Sequence, residues 1–264
     1  MISKAQIKQV RLLHQKKYRD EKNLFIAEGQ KVVNELLNSK YKVKEIFATK
    51  QFQVSGFRFH VEEVSENELA QISALTTPHQ VLAVVESLKG EKTKSPFRDV
   101  ELLADELVIA LDDISDPGNF GTIIRIADWF GINHLLCSEA CVDVYNPKVV
   151  QAAMGSIARV DVHYGNLASL MEDVRGQMAD VKIYGAVLNG KNIYSEKLSD
   201  NGIILIGNES RGISENLLQY VSNKLSIPNF STGADSLNAA VATAVICSEF
   251  RRSGVSLQAT QRSD

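Results

Sequence analysis

The residues able to do chemistry fall into three short clusters. The first is Asp116-Pro117-Gly118-Asn119, followed by Arg125 and Asp128. The second, Gly207-Asn208-Glu209-Ser210-Arg211-Gly212, is a polar segment bounded by glycines. In the third, Ile227-Pro228 leads through the small-residue loop 229–235 to Ser236-Leu237-Asn238. Together they offer guanidinium, carboxylate, carboxamide and hydroxyl groups, which hydrogen-bond polar ligands and stabilise charge. Other chemistries are absent. No Gly-x-Gly-x-x-Gly follows a strand and no Gly-x-x-x-x-Gly-Lys-Ser/Thr phosphate loop occurs, which argues against a dinucleotide dehydrogenase or an NTPase. Cys137 and Cys141 lie four apart, but no third Cys or His completes a zinc pattern, and the five histidines (His14, His60, His79, His134, His163) form no ligand spacing, so no metal site is expected.

Each cluster sits where a strand should end. Leu107–Leu111 is a short apolar run, the mark of a buried strand. After the turn formers at 116–119, Ile123, Ile124, Ala127 and Phe130 recur at helical spacing, predicting a helix over 121–130 whose opposite face carries Arg125 and Asp128. Ile203–Ile206 and Leu225–Ile227 are further strands, and a long apolar helix, Ala239–Phe250, follows the third cluster with Ser236 or Asp235 as its cap. Loops at the carboxyl ends of strands are where open α/β sheets bind ligands. An Asp-Pro-Gly-Asn turn also serves merely to reverse a chain, and Ser236 serves equally as a plain helix cap.

Taken in order, the three clusters resemble the SpoU/TrmH family of RNA ribose 2′-O-methyltransferases, within the SPOUT class. The first is similar to the family's Asp-Pro-x-Asn-x-Gly…Arg motif, the second to Gly-Asn-Glu-x-x-Gly, the third to Ile-Pro…Ser-Leu-Asn. The resemblance implies a mainly parallel α/β sheet with helices on both faces and a C-terminal trefoil knot. It implies S-adenosylmethionine as cofactor, held at positions matching Gly207, Ile227 and Leu237, with Leu188 after strand 181–187 a further candidate. Plain core packing is the other reading of Ile227 and Leu237. For catalysis it implies Arg125 and Asn119, with Glu209, Ser236 and Asn238 reaching the substrate. A guanidinium is essentially never deprotonated, so Arg125 is read as binding the phosphate beside the target ribose and stabilising a developing alkoxide. The implied partners are tRNA or rRNA and a second copy of the chain in a homodimer. The loop from Pro228 to Ser236 is one residue longer than the family's usual spacing, and Asn229 stands where Met or a small residue is common.

The remainder of the chain supplies context. At 264 residues it holds one large or two ordinary domains. A hydrophobic fraction of 44% and a charged fraction of 23% are ordinary for a globular protein. No apolar run approaches the roughly 18 residues needed to span a bilayer, and the N-terminus shows no signal-peptide core, so the cytoplasm is expected. Three cysteines argue against a disulfide framework. The net charge of −3 does not itself favour nucleic acid. Its distribution does: residues 1–23 hold Lys4, Lys8, Arg11, Lys16, Lys17, Arg19 and Lys22 against Asp20 and Glu21. Lys4, Lys8, Arg11, Lys16, Lys17 and Arg19 are the expected RNA contacts, a solvated helix face being the plain alternative.

The basic segment opens with Ser3 and Gln6 as a capping box for a helix over 4–15, burying Ile7, Val10 and Leu12. Strands are expected at 23–27, 43–48, 57–61 and 81–85, with helices at 30–37 and 66–74, the latter boxed by Ser65 and Glu68. Phe-Ile-Ala-Glu-Gly (25–29) and Thr-Pro-x-Gln (77–80) resemble the ribosomal-protein-like α/β domain that many family members carry. The expected division is an RNA-binding domain over 1–90, a linker over 91–105 and the methyltransferase domain over 106–264. Two other functions fit the same fold: a non-enzymatic RNA-binding or ribosome-assembly factor, and a methyltransferase acting on a base. The presence of Asn119, Arg125, Glu209 and Asn238 disfavours the first, and the Asn119/Arg125 pair disfavours the second through the resemblance.

Overall fold

The computed structural model describes residues 2–50, 61–88, 100–178, 180–233 and 235–253. The strand expected at 57–61 lies mostly outside these residues, as does the linker core at 89–99. Among the described residues no helix is long and apolar enough to cross a membrane. The chain forms two compact units that do not follow its order. One comprises 1–93, 114–128 and 141–162, the other 94–113, 129–140 and 163–264.

The first unit opens with α1 (Lys4–Leu12) and α2 (Lys16–Lys22), then β1 (Leu24–Glu28), α3 (Gln30–Leu37), β2 (Val43–Ala48), β3 (Val61–Glu63), α4 (Glu66–Ile72) and β4 (Val81–Glu86). The sheet order is β1-β4-β2-β3, antiparallel except for β2–β3. Alternation along β1 sends Ile26 into a core with Val10, Leu13, Leu69 and Ile72, while Phe25 stacks on Tyr145 at 4.6 Å. Both capping boxes are present, Ser3 with Gln6 and Ser65 with Glu68. The expected helix 4–15 is corrected: it stops at Leu12 and the chain starts again as α2. Arg19 supplies the reason, since its Nη1 donates to the carbonyls of Leu13 and His14 at 3.0 and 2.9 Å, satisfying acceptors that helix continuation would use.

β5 (Leu107–Leu111) then leads to α5 (Pro117–Trp129), β6 (His134–Ser138), α6 (Pro147–Ala153), β7 (Asp161–Gly165), α7 (Leu167–Gln177), β8 (Ile183–Asn192), β9 (Gly202–Ile206), α8 (Glu215–Leu218), β10 (Asn223–Ser226) and α9 (Ala239–Ser253). Residues 114–128 and 141–162 carry α5 and α6 into the first unit, where α6 packs on β1. α5 starts at Pro117, not at 121. Asp116 caps it, its Oδ1 accepting from Asn119 N at 2.7 Å, and proline is tolerated in a first turn. The expected turn is therefore the first turn of the helix.

The second unit is built on a six-stranded sheet, β10-β8-β9-β5-β6-β7. The pairs β10–β8, β8–β9, β9–β5 and β5–β6 are parallel. Every residue of the central strands β5 and β9 is buried, as a sheet covered on both faces requires. Leu170, Met171 and Val174 of α7 pack with Val108, Ala110, Ile203 and Leu205, and Phe250 of α9 meets Tyr184 edge-on at 4.8 Å.

Candidate functional site

The middle of β8, the ends of β9 and β10 and the start of α9 enclose a cleft of about 710 Å³ in the second unit. Its size is that of a small-molecule site. Leu188, Gly207, Glu209, Ile227, Ser236 and Leu237 all line it. Leu188 is 69% and Leu237 50% exposed, so two large apolar side chains face an open space rather than a core. β8 runs on to Asn192, which places Leu188 inside a strand rather than after one.

The segment following β9 closes on itself. Asn208 N donates to Gly212 O at 3.0 Å and Gly212 N returns a bond to Asn208 O at 2.9 Å. A Cβ on Gly207 would lie 2.2 Å from the Gly212 carbonyl carbon and the Ile213 nitrogen. The chain's own fold-back therefore demands a glycine there.

Two acids right after β5 pin this segment. Asp112, buried, accepts from Ser214 N at 2.8 Å and Ser214 Oγ at 2.7 Å. Asp113, with φ +57°, accepts at its carbonyl from Asn208 Nδ2 at 2.8 Å and pairs through its carboxylate with Arg211. Sequence reasoning passed over both. Their signal was two carboxylates at a strand's carboxyl end.

The cap of α9 is also corrected. Asn238 Oδ1 accepts from Ala240 N at 3.0 Å and Val241 N at 3.2 Å, so Asn238, not Ser236 or Asp235, begins the helix. Ser236 and Asp235 instead line the cleft.

Asn119 and Arg125 sit on α5, in the first unit. Arg125 is exposed and Asn119 half-buried. Asp128 does not pair with Arg125: Arg159 grips it, with Nε 2.9 Å from Oδ1 and Nη2 2.8 Å from Oδ2. Burial would raise the Asp128 carboxyl, but the bonds from Arg159 and Ser156 outweigh it and hold the group below the usual carboxylate range.

Of the expected RNA contacts, Lys4, Lys8, Arg11, Lys16 and Lys17 are exposed. Arg19 is not. It is buried, 3% exposed, and donates through Nε and Nη2 to Asp143 Oδ2 at 3.0 and 2.8 Å. A guanidinium so enclosed cannot reach a phosphate, and Arg19 leaves the set. Among the described residues no group of three or more His, Cys, Asp or Glu gathers as a metal would require.

The sequence pattern of the SpoU rRNA Methylase family matches residues 106–248, and that of the MRM3-like substrate binding domain matches residues 4–83. The chain is 30% identical over 251 residues to the 23S rRNA (guanosine(2553)-2'-O)-methyltransferase RlmP of Bacillus subtilis, covering 93% of this chain and 95% of that protein. An AdoMet-bound rRNA methyltransferase structure from Sinorhizobium meliloti is 30% identical, with a TM-score of 0.80 over 96% of this chain and 97% of that one. A TrmH-family structure from Porphyromonas gingivalis is 36% identical, with a TM-score of 0.82 over 96% and 99%. Matched over more than half its length, the chain belongs to the SpoU rRNA methylase family.

Proposed function

We propose that the protein is an S-adenosylmethionine-dependent methyltransferase that modifies a ribose 2′-hydroxyl of RNA, with rRNA favoured over tRNA by the named activity of RlmP. The observation that carries the reading is the cleft. It gathers Leu188, Gly207, Ile227 and Leu237, the positions at which the family resemblance sets the cofactor.

The donor set fits that group. Apolar Leu188, Ile227 and Leu237 suit an adenine face, while the carboxylate of Asp235 suits ribose hydroxyls or an ammonium. S-adenosylmethionine, when bound, supplies an electrophilic methyl. The chain's own residues must hold the acceptor hydroxyl in line, and positioning alone supplies much of such an acceleration. Arg125 is assigned the phosphate next to the target ribose, bidentately, and the charge developing on the 2′-oxygen, while that phosphate or water takes the hydroxyl proton as the methyl leaves sulfur. Asn119 is assigned the orientation of Arg125, and Glu209 the substrate hydroxyl; Ser236 and Asn238 complete the substrate side, Asn238 through the cap it already forms.

The same reading takes residues 1–90 as the RNA-gripping domain, joined by 91–105 to the methyltransferase domain 106–264. Lys4, Lys8, Arg11, Lys16 and Lys17 supply the phosphate contacts. RNA shape and 2′-hydroxyls, rather than duplex sequence, are what such a domain reads. It also includes a trefoil knot in the last third of the chain, a homodimer and the cytoplasm.

The test is transfer of labelled methyl from S-adenosylmethionine to unmodified rRNA and tRNA, with nuclease mapping. Label in an alkali-resistant dinucleotide is expected. Label on a base overturns the ribose assignment, and no cofactor binding overturns the enzyme. Arg125→Ala should abolish transfer with cofactor affinity within about twofold of wild type, since its bonds are assigned to the RNA phosphate and the developing charge and none to the cofactor.

A further inference from the structure

α5 carries Arg125, and its attachments lie within the unit that contains the N-terminal sheet. Near its start, Gly121 meets α6 so closely that a Cβ would lie 2.6 Å from Ala152 Cβ and 2.7 Å from Val149 O. Near its end, Asp128 lies three residues beyond Arg125, a neighbour on the helix surface. Both carboxylate oxygens of Asp128 are engaged by Arg159, and Ser156 Oγ donates to Oδ2 at 2.7 Å. The other arm of the same guanidinium, Nη1, lies 2.5 Å from Glu35 Oε2 on α3.

The backbone beside Arg159 is also pressed on α3. Gly155 has φ +95°, and a Cβ there would lie 2.7 Å from Glu35 Cγ. A single exposed ion pair contributes little. Here one planar fork spans carboxylates on two helices, a geometry that specifies orientation as well as attraction.

We propose that Arg159 is a positioning residue for methyl transfer: by bridging Asp128 on α5 to Glu35 on α3, it sets Arg125 relative to RNA held by the N-terminal domain. The proposal rests on the role given to Arg125 above. Its rationale is geometric: RNA grip and Arg125 belong to one compact unit, and displacing a reacting group by about 1 Å can cost on the order of 100-fold in rate.

The experiment compares Arg159→Ala, Arg159→Lys and Glu35→Gln with wild type and Arg125→Ala in the full chain. It reads kcat, KM for RNA, S-adenosylmethionine affinity, Tm and hydrogen exchange along the chain, including 30–37 and 117–128. Arg159→Ala should lower kcat about tenfold or more, leave cofactor affinity unchanged and speed exchange in α5. Arg159→Lys should recover part of the loss, because an ammonium lacks the fork. Unchanged kcat in folded Arg159→Ala overturns the proposal, as does a parallel fall of kcat, cofactor affinity and Tm. Should wild type transfer no methyl, or Arg125→Ala keep its turnover, the reading of the site fails by itself. Exchange then decides the bridge: faster exchange confined to α5 and α3 supports it, and unchanged exchange overturns it.

Discussion

Arg19 and Asp143, 124 residues apart, form a buried ion pair with Nη2 2.8 Å from Oδ2 and both side chains at most 5% exposed. The guanidinium also donates to two carbonyls, and Asp143 Oδ1 accepts from Tyr145 N at 3.3 Å. The pair ties α2 to the segment leading into α6. Removing one partner leaves a buried charge uncompensated. Arg19→Met should therefore cost about 3–5 kcal/mol, read as a lower urea midpoint. Removing both charges, in Arg19→Met with Asp143→Leu, should recover much of that loss. A single variant of wild-type stability would contradict the burial.

The exposed basic residues of the same segment behave differently. Lys8→Glu with Arg11→Glu should leave stability within roughly 1 kcal/mol of wild type. RNA affinity should fall, and its dependence on salt should flatten, because fewer counterions are released. Unchanged RNA affinity would return α1 to a solvated face.

Gly207→Ala places a Cβ where the Gly212 carbonyl and Ile213 nitrogen already stand. Backbone cannot yield as a flexible side chain does, so the 207–212 fold-back must open. S-adenosylmethionine affinity should drop at least tenfold, the segment being part of the cleft wall, while the buried strands keep the global unfolding transition cooperative. Calorimetric titration of the variant checks it; retained affinity would show that the fold-back tolerates displacement.

Asp128 makes part of the stability pH-dependent. Its folded carboxyl titrates below the ordinary value of 3.8. A depressed carboxylate stabilises the fold above its unfolded pKa, and that contribution is lost as pH falls through the lower, folded one. Asp128→Asn should therefore flatten the fall of Tm below about pH 4 without changing its slope between pH 6 and 8. An identical acid limb in both proteins would remove Asp128 from the account.

What was legible in the sequence was local. Leu107–Leu111, Val43–Ala48 and Gln30–Leu37 form where their patterns place them, because a five-residue apolar run or a 3.6-residue period is enough to choose an element. The capping boxes of Ser3 and Ser65 involve partners three residues away and need nothing else. The three motifs marked strand ends, and Leu188, Gly207, Ile227 and Leu237 do line one cleft.

What only the tertiary structure decided depends on partners far along the chain. Arg19 read as one more surface cation until Asp143 buried it. α1 breaks at Leu12 because that guanidinium takes the following carbonyls. Ser236, Asp235 and Asn238 are all able to cap a helix; the approach of the chain to α9 selects Asn238 and leaves the other two in the cleft. Asp128 looked like a neighbour for Arg125 on its own helix, yet a guanidinium 31 residues later holds both its oxygens. Sequence spacing thus determined which elements form and which residue types stand at their ends. The partner each charge takes is a matter of distance in the folded chain, over which electrostatics and hydrogen bonding act within a few ångströms, and spacing along the chain does not encode it.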